Sequence, residues 1–89
     1  MPATFVVAGT RARPPVITVP AGIPVELTVA SGDGRSHRAQ LLVAGAPELV
    51  VAAGGRASER IAAPPANRYV LLVDGQAAGA LVVGGEAGP

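Results

Sequence analysis

Residues 17–37 read ITVPAGIPVELTVASGDGRSH. Val25, Leu27 and Val29 alternate with Glu26 and Thr28, a period of two that marks a strand with one buried face and one wet face. Ile17 to Val19 form a second apolar run. Pro20-Ala21-Gly22 between the runs is a turn, since proline presets φ and glycine accepts positive φ. Ser31 to Ser36 hold two glycines and read as a loop, and His37, the only histidine, stands just beyond it. A strand, a turn, a strand, a loop and a histidine follow in order, and the rest of the chain continues in the same style.

ATFVVA (3–8) reads as a first strand, and Arg11 to Pro15 as a stiff polar connector leading into PVITV (15–19). After the loop, RAQLLVA (38–44) resumes as a strand with Ala39, Leu41 and Val43 on one face, and GAP (45–47) breaks it. ELVVA (48–52) is a short strand or edge segment, followed by the turn AGG (53–55). ASERIAA (57–63) puts Ile61 inward and Arg56, Ser58 and Arg60 outward. PPAN (64–67) is a turn, with Asn67 suited to the left-handed region. RYVLLVD (68–74) and GALVVG (79–84) are the last strands, joined by GQAA (75–78). No segment has helical periodicity. The pattern predicts an all-β sandwich of about seven or eight strands. It fills a single domain over 1–89, with 1–2 and 85–89 frayed.

Of the 89 residues 49% are apolar, yet Phe5 and Tyr69 are the only aromatics, so the core must be aliphatic. The net charge is +1, and all seven basic residues are arginines scattered along the sequence without interleaved aromatics, which argues against nucleic acid. With no cysteine, neither a disulfide nor a thiolate ligand can form within this chain. No apolar run reaches the ~18 residues of a membrane helix. MPATFVVAGT lacks a basic region ahead of its apolar residues and is not a signal peptide. The expectation is therefore a cytosolic protein, or a mature or excised domain.

Three blocks together resemble a cupredoxin, the blue-copper fold. They are ITVPAGIPVELTVASGDGRSH (17–37), APPANRYVLLVD (63–74), with Asn67 where glycine is usual, and GALVVG (79–84). The resemblance spans nearly the whole chain and implies a Greek-key sandwich, usually exported and often fused to other domains. It also implies a copper site of His, Cys, His and Met, a trigonal set that serves both copper oxidation states. His37 matches the first histidine. The cysteine position falls on Val73, the second histidine on Gln76 and the methionine on Ala77, so three of four ligands are missing. The Val73–Gly79 link is also shorter than the family's ligand loop. Tyr69, Leu71 and Val73 share one face, so Val73 extends the inward row as an apolar plug. This predicts a domain refitted to fold without metal or any other cofactor.

His37 has two readings: a one-point metal ligand helped by Asp33, Asp74 or Gln76, or a loop histidine hydrogen-bonded near the 74–78 turn. The second is preferred, because a lone imidazole with weak oxygen partners does not hold copper selectively. Asp33-Gly34 is a turn, with far too few carboxylates for calcium. No nucleophile, base and orienter stand out, so no catalytic residue is assigned and an enzyme is not expected. Val70, Leu72, Leu42 and Val82 fall on outward positions and could form an apolar patch for a protein partner or for self-association. The alternative is that the first strand or a loop covers them. Val50 and Val51 mark a second edge surface.

The function expected is a metal-free cupredoxin-like module with a structural or protein-interaction role, not electron transfer. Family analogy favours an extracytoplasmic location. Two rivals are a copper- or zinc-handling protein using His37 with ligands from another chain or domain, and an immunoglobulin-like adhesion or carbohydrate-binding sandwich.

Overall fold

The computed structural model describes residues 1–43 and 48–84. Nine strands form among them and no helix: β1 (Pro2–Ala8), β2 (Arg11–Arg13), β3 (Val16–Val19), β4 (Val25–Ser31), β5 (His37–Leu41), β6 (Leu49–Val51), β7 (Arg56–Ile61), β8 (Asn67–Val73) and β9 (Gln76–Val83). They make two facing sheets, a four-stranded one in the order β2-β1-β4-β7 and a five-stranded one in the order β3-β9-β8-β5-β6. Two pairings are parallel, β1 with β4 and β3 with β9, and the rest are antiparallel. Having no helix, the described chain has none long and apolar enough to cross a membrane.

The core is aliphatic, as the composition requires. Phe5, Leu27, Leu41, Leu71 and Leu81 are fully buried and alternate with outward residues along their strands. Each such side chain contributes about 1.5–3 kcal/mol relative to exposure. Tyr69 lies in the same core, and its hydroxyl donates to the Pro65 carbonyl at 2.6 Å, so its one polar atom is satisfied. Gly79 allows the sheets to close: a Cβ there would stand 3.0 Å from the Pro15 carbonyl oxygen and 3.2 Å from the Ala12 Cβ.

Several expectations are corrected. The stiff connector at 11–15 holds a strand, because Arg11–Arg13 pairs antiparallel with β1 and turns Ala12 into the core. The chain then changes sheets at Pro14-Pro15. Asn67 is the first residue of β8, not a left-handed turn residue; among the described residues Asp74 is the only non-glycine with positive φ. The strand after the loop runs His37–Leu41 and stops short of residue 44. The expected break at 45–47 lies outside the described residues, as does the tail at 85–89. At the other terminus the Met1 carbonyl accepts the Glu26 N–H at 2.8 Å. The link expected at 75–78 is really a two-residue turn, and that change shapes the site.

Candidate functional site

His37 is the first residue of β5 and is only 5% exposed, so it belongs to a strand and not to the loop before it. Two carboxylates clamp its ring from opposite sides. Nδ1 lies 2.8 Å from Asp74 Oδ2, and Nε2 lies 2.9 and 3.1 Å from the two oxygens of Asp33. Ionised carboxylates only accept hydrogen bonds, so both ring nitrogens donate and the ring is an imidazolium.

Local sequence explains how each carboxylate gets there. Asp33 lies in the loop between β4 and β5. Its Oδ1 takes the Arg35 N–H at 3.1 Å, which closes an Asx turn, and its Oδ2 takes the Gly9 N–H at 2.7 Å from the β1–β2 turn. Asp74 and Gly75 form the β8–β9 turn, with φ of 52° and 83°. Val73 pairs with Gln76 across them, giving a two-residue hairpin with positive φ at both central positions, where Asp-Gly is favoured. Asp74 is then fixed to β5 twice: its N–H donates to the Arg38 carbonyl at 2.7 Å, and its Oδ1 accepts the Arg38 N–H at 3.0 Å.

The electrostatics follow from these contacts. The His37 pKa is raised, first by the Asp74 hydrogen bond and then by Asp33, against the opposing effect of burial. Asp33 is held far below the usual carboxylate range, chiefly by the Gly9 N–H and then by His37. Asp74 is lowered by the Arg38 N–H and then by His37. The cluster joins the β1–β2 turn of one sheet to the β8–β9 turn of the other through a single ring.

These residues do not fit copper. Both nitrogens of His37 are engaged, and the two carboxylates flank the ring without converging on a common point. No group of three or more His, Cys, Asp or Glu side chains among the described residues is arranged to hold a metal ion. Val73, which the resemblance matches to the cysteine ligand, is fully buried in the core row, and the chain has no cysteine. Gln76 and Ala77 are exposed on β9. The two-residue hairpin, followed by a bulge opposite Leu71 and Leu72, leaves no ligand loop. Of the three partners considered for His37, Asp33 and Asp74 reach it and Gln76 does not.

No family model matches this chain, and no curated protein does. Solved structures do match. Auracyanin A, a "blue" copper protein from Chloroflexus aurantiacus, is 16% identical with a TM-score of 0.73, covering 93% of this chain and 98% of its own. A copper-binding protein in its apo form gives 13% identity and a TM-score of 0.73, over 92% of this chain and 85% of its own. A purple cupredoxin from Nitrosopumilus maritimus gives 18% and 0.61, over 91% and 98%. The fold is that of the cupredoxins, and identities this low speak to the fold alone.

Proposed function

We propose that this chain is a metal-free cupredoxin-like module with a structural or protein-interaction role, formed by residues 1–89 as one domain and placed outside the cytoplasm by family analogy. The observation that carries the proposal is the clamp on His37, the residue matched to the first histidine ligand: each of its two N–H groups donates to a different carboxylate, which leaves no ring lone pair for a metal. The reading is also non-enzymatic. An imidazolium that donates from both nitrogens has no lone pair with which to act as a base.

The interaction half of the proposal is supported by the outer face of the five-stranded sheet. Val16 pairs with Ala80, Ala80 with Val70, and the Leu42 N–H donates to the Val70 carbonyl at 2.9 Å. An apolar row therefore crosses β3, β9 and β8 and reaches Leu42, just past the end of β5, with Ala80 itself buried between Val16 and Val70. Leu72 and Val82 lie beside it, half-buried by their neighbours, while Leu42 is 49% exposed and Val50, on the edge strand, 67%. Contiguous aliphatics of this kind mark surfaces that other proteins cover.

Titration with Cu(II), Cu(I) and Zn(II), followed by calorimetry and sedimentation, tests the reading. Binding no tighter than about millimolar is expected. Micromolar binding abolished by His37→Ala overturns it. Association that Leu72→Asp reverses identifies the aliphatic face as a self-contact, whereas a monomer at high concentration leaves that face to a different protein.

A further inference from the structure

The arginines that are scattered in the sequence are gathered by the fold. On the outer face of the four-stranded sheet, β2 presents Arg11 and Arg13, and β7 presents Arg56 and Arg60. The register sets them on opposite flanks: Arg13 pairs with Val6, Val6 with Ala30, and Ala30 with Arg56. Three strand spacings separate the flanks, about 14 Å. The floor between them is short-chained. In the next row Thr4 pairs with Thr28 and Thr28 with Ser58, the last two bonded to each other at 2.9 Å. Among the described residues Glu26, opposite Arg60, is the only acidic residue on this face. The ion pairs among the described residues are those of His37, so none of the four arginines is in a salt bridge with a described residue, Arg60 having Glu26 only as its cross-strand neighbour.

The geometry points to this channel as a binding surface for an extended, acidic stretch of polypeptide. In an extended chain successive side chains point to opposite sides, and those on one side repeat every ~6.8 Å. A run of consecutive Glu or Asp residues lying along the strands therefore offers carboxylates alternately to the two flanks. Arg11 and Arg13, two residues apart on one strand, have that same repeat. Guanidinium groups hold carboxylates through paired, charge-assisted hydrogen bonds. No aromatic side chain lies on the floor to stack a base or a sugar ring, which disfavours single-stranded nucleic acid and glycans. Tall flanks over a short floor suit a chain lying between them better than a flat membrane.

A labelled oligoglutamate peptide, followed by fluorescence anisotropy against the full chain at about 20 mM salt, tests this. Saturable binding is expected. It should weaken about fivefold with Arg13→Glu and by a similar factor with Arg56→Glu, one from each flank. Arg68→Glu, on the other sheet, should change it less than twofold, and circular dichroism confirms that each variant folds. Loss with one flank only, or equal loss with Arg68→Glu, overturns the channel. A sulfated polysaccharide or DNA duplex that binds more than about tenfold tighter, with the same arginine dependence, overturns the choice of partner. No binding at any peptide concentration up to millimolar overturns both.

Discussion

His37 and Glu59 are both ionisable side chains drawn toward the interior of this sandwich, and they are treated in opposite ways. His37 has a carboxylate on each ring nitrogen, and each carboxylate has backbone N–H partners of its own. Glu59 lies on the inner side of β7, opposite Leu27, with its Oε2 buried and without a hydrogen-bond partner among the described residues. Its pKa is raised by burial alone. The difference follows from position. His37 begins a strand flanked by β6 and β8, where turns from both sheets converge to satisfy it. β7 is an edge strand. A charge pointing inward from an edge resists a further strand, which would seal that charge away from water. One polar group fixes local geometry by being satisfied; the other guards an edge by being left without a partner.

The contrast breaks most visibly at His37. His37→Ala removes the cation and leaves two carboxylates facing the same gap. The expected loss is about 1–3 kcal/mol by denaturant unfolding, kept modest because the Asp74 side chain is 46% exposed to solvent. Native stability in this variant would show that the clamp contributes nothing to folding.

The pH profile of stability tests the same contrast without mutation. The imidazolium is favoured by the fold above its ordinary pKa of 6.5, so its contribution is complete below 6.5 and fades as pH rises through the raised value. Asp33 and Asp74 sit below their ordinary 3.8, so their contribution is complete above 3.8 and fades as pH falls through the lowered values. Thermal unfolding across pH should therefore place greatest stability between about pH 4 and 6.5. Glu59 adds a shallower decline that sets in as pH rises above its ordinary 4.5. His37→Ala should flatten most of the alkaline limb and leave only the Glu59 part. An unchanged alkaline limb would detach it from His37.

The alternating strands and the inward row Tyr69, Leu71 and Val73 were legible in the sequence because a period of two registers burial directly. The absence of any thiolate ligand was legible from residue types, since the chain has no cysteine. β2 was not, because three residues between arginines and prolines acquire strand character only by pairing with β1. Asp74-Gly75 was available to be read as a hairpin signal and instead reads as the end of a strand when the apolar run is followed too far. The clamp itself was half legible. A histidine bonded near the 74–78 turn follows from the family resemblance, which sets those segments side by side, but the Asp33 contacts depend on Gly9 and on how the sheets face each other. The arginine face was hidden for the same reason, since Arg11 and Arg13 meet Arg56 and Arg60 only through the four-strand register.

Asp74→Asn and Asp33→Asn give a finer test of what holds His37. Each keeps the shape and removes a charge, so each should lower the His37 pKa, as read by NMR titration of the ring. Asp74→Asn should lower it more, because the Asp74 hydrogen bond is the largest cause of the raised value. Equal shifts would mean that the two sides of the clamp contribute alike.

The smallest effect is expected at Glu59, and its sign is opposite. Glu59→Gln keeps the shape and removes a charge that burial disfavours, so stability at neutral pH should rise, by about 0.5 kcal/mol or less because water still reaches part of the side chain. Glu59→Leu should add apolar burial and stabilise further, but it leaves the edge of β7 without its inward charge. Sedimentation should then show concentration-dependent association for Glu59→Leu, with Glu59→Gln close to the parent, because an amide still resists being sealed under a new strand. A Glu59→Gln variant less stable than the parent would mean that this carboxylate has a stabilising partner after all. A strictly monomeric Glu59→Leu variant would mean that the edge is protected by something other than the charge.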